Sequence, residues 1–234
     1  MMSEVSILGV GSVLDRPVYG LGEASRLLGL RRDRVGAWLD GYERQGVRYP
    51  PVIRESMTGD EIVTWGEFVE LGYLREYRRC GVPLQRLRPV IDELREVFGT
   101  PYPLATARPY EFDKELVLRI QELTHLPSEI AMVIRSGQHL LLKDRAHRFF
   151  RKVEFDPEAE GAVRIFPAGP TSPVVIDPLV RFGRPNVAGV ATDRLWELFD
   201  AGEPLNEIAD GYDLGLDLIS AAIAYEEQRL SLAA

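Results

Sequence analysis

Cysteine is almost absent from this chain. Cys80 stands alone among 234 residues, so no internal disulfide can form and a reducing compartment is the simplest setting. One thiol cannot complete a zinc cluster, and His125, His139 and His147 match no metal-ligand spacing. No G-x-S-x-G elbow and no P-loop occurs, and Gly20-Leu21-Gly22 is not continued by the glycine spacing of a dinucleotide loop. No apolar run approaches the roughly 18 residues of a membrane span. The first residues, MMSEVSILGVGSVLDRP, lack the basic and apolar regions of a secretory signal. These absences lead us to expect a cytoplasmic protein that is not an enzyme, with no catalytic residue, metal site, cofactor or membrane contact.

Net positive charge is missing as well. The chain carries −8 overall, which argues against indiscriminate nucleic-acid binding across its whole surface. The charge is unevenly spread. Between Arg31 and Arg54 there are six arginines (31, 32, 34, 44, 48, 54) against three carboxylates, so phosphate binding belongs to the front of the chain. From Val174 onward there are four arginines against eleven carboxylates, and this tail would repel DNA unless screened.

What is present is a pattern of short amphipathic helices. Ala24, Leu27 and Leu28 lie at i, i+3, i+4, Gly29 makes a turn, and Val35, Trp38 and Leu39 repeat the spacing. Two stripes this short must pack on each other and on a third helix, the helix-turn-helix arrangement. Arginines at the front of its second helix can contact phosphates or guanine edges, so Arg31, Arg32 and Arg34 are the candidate DNA-binding residues. The β-prone runs Tyr49–Arg54 and Glu61–Thr64 flank a Gly- and Asp-containing turn and are expected to form a wing, with Arg54 reaching the flanking backbone. Trp65–Arg79 is predicted as the next helix, burying Phe68, Leu71, Leu74 and Tyr77, with Tyr73 off that stripe. Leu84–Phe98 follows as another helix, kinked or restarted at Pro89.

The middle, 104–173, reads as a small mixed α/β linker domain, with strands over 115–120, 132–142 and 161–167 and a helix over 143–151. In the tail, Thr192 is expected to N-cap a helix carrying Leu195, Leu198 and Phe199. Pro204 starts a second helix, Gly211–Gly215 makes a turn, and Leu216–Leu230 forms the last. The expected fold is mainly α with small β elements: an N-terminal winged helix-turn-helix (15–100), the mixed middle segment (104–173), and a C-terminal three-helix helix-turn-helix domain (174–234).

Tyr19, EASRLLGL (23–30), Arg34, Trp38 and Gly41 give the front a resemblance to the winged helix-turn-helix of MerR-type regulators. Ile62–Phe68 corresponds to that family's approach to its third helix, and Gly81–Leu87 to its G-x-x-L turn. The family's long coiled-coil helix has no counterpart, because Gly99–Pro103 stops the chain. The tail is similar to a small helix-turn-helix family of bacterial antitoxins through Ile176-Asp177-Pro178, Phe182–Pro185, Val187–Gly189, Ile208–Tyr212 and Ala221–Tyr225. Where that family continues with Gly-Thr-Arg, this chain reads Gly189-Val190-Ala191-Thr192, which disfavours direct DNA contact by the tail.

Together these segments resemble a VapB-type antitoxin of a type II toxin–antitoxin pair. The resemblance implies two activities: inhibition of a cognate PIN-domain ribonuclease toxin, and repression of the shared operon by binding operator DNA. It also implies a homodimer or a higher toxin–antitoxin assembly. Lys143, Arg145, Arg148, Arg151 and Lys152 form the basic cluster expected to meet the toxin's acidic site. The alternative is a stand-alone MerR-like transcriptional regulator with no toxin partner.

Overall fold

The computed structural model describes residues 12–79, 81–106, 151–156 and 161–231. Strand β1 (Pro17–Gly20) runs directly into helix α1 (Leu21–Leu28), and α2 (Arg32–Asp40) follows a short turn. Ala24, Leu28, Val35, Trp38 and Leu39 are buried, so the short stripes read from the sequence do form one packed pair.

The wing is built from residues other than those expected. Strands β2 (Tyr42–Arg44) and β3 (Val47–Tyr49) form the antiparallel hairpin. They are joined by Gln45 and Gly46 at φ 52° and 75°, a two-residue loop whose twist suits the strands. Tyr49–Arg54 cannot serve as a strand of a hairpin with Glu61–Thr64, because Pro50 and Pro51 have no N–H to donate to a ladder. Instead β4 (Ile62–Thr64) pairs antiparallel with β1. The segment after the wing is fastened by arginines of the fourth helix, α4 (Leu84–Phe98): Arg88 donates to the carbonyls of Pro50 and Pro51, and Arg95 to those of Val52 and Ile53.

Helix α3 (Trp65–Arg79) is the pillar of the front unit. Phe68, Leu71, Leu74 and Tyr77 are buried, and so is Tyr73, which the stripe left out. The difference arises because α1, α2 and the short helix α5 (Pro103–Thr106) all pack on α3, so it has almost no solvent face. Helix α4 is continuous through Pro89. The carbonyl that loses its partner there belongs to exposed Gln85, where water can replace the bond.

Strands β5 (Val153–Asp156) and β6 (Gly161–Ile165) form a hairpin within the expected mixed segment. Val153, Ala162 and Ile165 join the same core as α3 and α4, and the Trp65 indole donates to the Ala162 carbonyl at 2.7 Å. The strands expected over 115–120 and 132–142, and the helix over 143–151 except Arg151, lie outside the described residues.

The C-terminal unit has its own core of Val174, Val187, Leu195, Ile208, Ala209, Ile219, Ala222, Ile223 and Tyr225. It comprises a small hairpin, β7 (Asn186–Val187) with β8 (Val190–Ala191), and helices α6 (Thr192–Asp200), α7 (Leu205–Tyr212) and α8 (Leu216–Ser231). Thr192 does not cap α6: Ala191 holds the cap position and no side chain bonds there. Its hydroxyl is buried and donates to the Glu226 carboxylate of α8 at 2.5 Å, tying the first and last helices of the unit. The two units meet where the Tyr19 hydroxyl donates to the Gly183 carbonyl at 2.5 Å. The architecture is therefore mainly α with small sheets, with an N-terminal helix-turn-helix and a three-helix C-terminal unit.

Candidate nucleic-acid interface

Three exposed arginines lie together at the first turn of α2. Arg31 precedes the helix in extended conformation, and Arg32 and Arg34 occupy its first and third positions. All three are exposed, while Val35, Trp38 and Leu39 anchor the opposite face in the core. The helix thus presents its N-terminal end, with the positive end of its dipole, on the same surface as the arginines, and the Arg34 amide there donates to the Asp33 carboxylate.

Two of the three arginines are held by carboxylates. Arg31 donates from Nε and Nη2 to the two oxygens of Asp33, at 3.1 and 2.8 Å. That hydrogen bond keeps the Asp33 carboxyl below the usual aspartate range. Arg32 pairs with Glu61 at 2.5 Å. Both pairs are solvent-exposed, and exposed pairs contribute about 0–1 kcal/mol, so a phosphate can displace the carboxylate at small cost. The Arg34 side chain has no hydrogen bond or ion pair among the described residues.

The β2–β3 hairpin follows the C-terminal end of α2. Tyr42 and Tyr49 stack across it, with ring centroids 4.6 Å apart and planes 9° from parallel, which stiffens the base of the wing. Arg44 opposes Val47 and Arg48 opposes Glu43, so the two arginines project from opposite faces of the ribbon. Both are exposed. Neither is among the candidates visible in the sequence, because the hairpin lies nearer the front of the chain than its β-prone runs suggest. The signal is available in Tyr42-Glu43-Arg44-Gln45-Gly46-Val47-Arg48-Tyr49, a glycine-containing turn between matched aromatic ends.

Gly41 sets the angle of wing to helix. Its φ is 75°, and a Cβ there would lie 2.3 Å from the Tyr49 carbonyl oxygen, so only glycine lets the hairpin return this close to the end of α2.

Arg54, expected to reach DNA from the wing, is turned into the protein. Its side chain is 9% exposed. Nε donates to Glu67 at 2.6 Å, Nη1 to Asp40 at 2.9 Å, and Nη2 to the Ile62 carbonyl at 2.8 Å. Burial opposes the charge, but the hydrogen bonds that Arg54 donates to Glu67 and Asp40 prevail and raise the guanidinium above its ordinary value. Burial likewise opposes ionisation of Asp40, yet the Thr58 amide and Arg54 hold its carboxyl below the usual range. Arg54 therefore joins the end of α2, the loop before β4 and the start of α3. It holds the end of α2 to the start of α3 and is buried.

Of the basic cluster expected to meet a toxin, Lys143, Arg145 and Arg148 lie outside the described residues. Arg151 is exposed in the turn before β5, and the Lys152 ammonium donates to the Pro167 carbonyl. Among the described residues no group of His, Cys, Asp and Glu could hold a metal ion, and no helix is long and apolar enough to cross a membrane.

A helix-turn-helix with an exposed basic first turn and a flanking hairpin is a reading head of the DNA-binding type. Residues 17–91 match a family model described as "Putative DNA-binding HTH domain", and residues 174–225 match one described as "Protein of unknown function (DUF433)". The chain belongs to the same family as the uncharacterized protein Rv2308 of Mycobacterium tuberculosis. The two are 35% identical over 227 residues, which covers 94% of each chain. It is more distantly related to the protein named "Putative antitoxin VapB45" of the same organism, at 29% identity over 230 residues, 89% of this chain and 93% of that one. The X-ray crystal structure of Rv2018 from Mycobacterium tuberculosis superposes with a TM-score of 0.67 at 27% identity, covering 90% of this chain and 99% of that one. Neither family description denotes an enzyme.

Proposed function

We propose that this chain is a cytoplasmic antitoxin that binds and inhibits a PIN-domain ribonuclease toxin and represses its own operon by binding operator DNA. The observation that carries the DNA-binding half is the exposed first turn of α2, with Arg31, Arg32 and Arg34. In this reading the N-terminal residues of α2 enter a major groove, and Arg44 and Arg48 reach the backbone on the two sides of the wing. Arg54 acts from behind, by holding α2 to α3.

The toxin-binding half is supported by the distant relation, over nearly the whole chain, to the protein named "Putative antitoxin VapB45". The front unit reads DNA, while the acidic C-terminal unit serves the protein partner and self-association. The run from Lys143 to Lys152 supplies cations toward that partner. A homodimer would place two reading heads on paired half-sites.

The test is co-expression of the full chain with the protein encoded beside it, followed by affinity purification and mass analysis. A stable complex with a small PIN-type protein supports the antitoxin. Recovery of this chain alone, with binding to its own promoter intact, supports the stand-alone regulator instead.

A further inference from the structure

Leu179 and Phe182 are the most exposed large apolar side chains among the described residues, at 66% and 78%. Both sit on one turn of the C-terminal unit. Arg181, Phe182 and Gly183 follow one another in the left-handed region, at φ 51°, 55° and 73°. Two consecutive side-chain-bearing residues rarely adopt this conformation.

The turn is held from several sides. Buried Asp177 accepts from the Leu179 amide at 2.8 Å and from Arg164 at 3.0 Å. Arg181 donates to the Gly189 carbonyl at 2.7 Å. Gly183 is pressed against β1, where a Cβ would lie 2.6 Å from the Tyr19 hydroxyl and 2.7 Å from Val18. The surrounding structure thus enforces a strained backbone whose result is an aromatic ring in water, contrary to what folding alone would select.

Charge narrows the choice of occupant. From Pro178 to Thr192 the chain has two arginines, Arg181 and Arg184, and no carboxylate. From Asp193 to Asp217 it has eight carboxylates and one arginine. Arg184 pairs with Glu23 and Asp193, so Arg181 is the cation at the rim of the apolar knob in this acidic unit. A symmetric contact through the knob would bring Arg181 against its own copy, which disfavours a two-fold contact between copies of this chain.

We infer that the Leu179–Phe182 turn is the hydrophobic anchor for a different protein, one with an apolar socket rimmed by carboxylates. This rests on the proposed antitoxin reading, in which that protein is the toxin. Phe182 supplies the buried aromatic typical of interface hot spots, and Arg181 supplies the charged rim.

The test uses the full chain with Phe182→Gly and, separately, Leu179→Ser, and the purified product of the neighbouring reading frame as probe. Glycine relieves the left-handed strain, so Phe182→Gly should keep or raise the melting temperature and leave promoter binding unchanged. Affinity for the probe should fall about tenfold or more. Raised salt should weaken the wild-type complex further. Wild-type affinity in both variants overturns the anchor while leaving the antitoxin reading intact. Loss of self-association with unchanged probe binding also overturns it, in favour of a contact between copies. Failure of the wild type itself to bind the probe overturns both the anchor and the reading on which it rests.

Discussion

Replacing Arg54 by methionine separates a positioning role from a DNA contact. Methionine keeps much of the side-chain volume and removes the charge. Asp40 and Glu67, with side chains 20% and 8% exposed, would then keep their carboxylates without the guanidinium that pairs them. Breaking a buried ion pair by removing one partner costs about 3–5 kcal/mol. For a chain of this size the expected fall in melting temperature is roughly 10 °C. The acid limb should change too. Asp40 ionises below the usual aspartate range in the fold, so its stabilising contribution is present above that range and lost as pH falls through the folded value. Without Arg54 that contribution shrinks, and acid unfolding should begin at higher pH. Thermal and urea unfolding followed by circular dichroism, at pH 7 and down to pH 3, reads both effects. Arg34→Ala is the control, since a substitution at this exposed position should stay within about 0.5 kcal/mol of wild type. An Arg54→Met protein with unchanged stability and reduced DNA affinity would refute the positioning role and return Arg54 to the interface.

Three further outcomes follow from the same geometry. Glu70 of α3 is fully buried. One carboxyl oxygen accepts from the Leu104 amide at 2.9 Å, the other has no partner among the described residues, and burial pushes its pKa up to about 8. A raised carboxyl pKa means that stability falls as pH rises from the unfolded value near 4.5 through 8, so Glu70→Gln should stabilise. The gain should grow over that window and reach at most about 3 kcal/mol at pH 7, measured by urea titration; a gain independent of pH would contradict it. Gly41→Ala should cost about 2 kcal/mol or more, because of its φ and the close Tyr49 carbonyl, and should weaken DNA binding by moving the wing; an unchanged denaturation midpoint would be the contrary result. Thr192→Val should lower the melting temperature by leaving the buried Glu226 oxygen without its hydroxyl donor, at about 1–3 kcal/mol, and should spare promoter binding.

The helical part of the fold is legible because its signals are local. Ala24, Leu28, Val35, Trp38 and Leu39 follow the 3.6-residue period and are buried as the period requires. Tyr73 escapes that logic because a helix packed on all sides has no solvent face to make a stripe. The wing is misplaced because the β-prone look of Tyr49–Arg54 conceals two prolines, and its real turn is the less conspicuous Gln45-Gly46. The partner of β4 cannot be read locally, since pairing with β1 spans more than forty residues of chain. At the candidate site Arg31, Arg32 and Arg34 are visible as charge on a helix start. The fate of Arg54 is not, because it depends on Asp40 and Glu67, which only tertiary structure brings together. The same holds for Thr192, whose partner Glu226 lies one helix-turn-helix away.

The central claim is that the first turn of α2 and the wing read DNA. The direct measurement is titration of a duplex from upstream of the chain's own gene, across a series of salt concentrations, with wild type and with an Arg34→Ala, Arg44→Ala, Arg48→Ala triple variant. The wild type should bind with a steep salt dependence. The triple variant should bind more weakly at unchanged melting temperature, its log–log salt slope reduced by about one for each phosphate no longer neutralised. A triple variant with wild-type affinity and slope would place the DNA surface elsewhere and contradict the account.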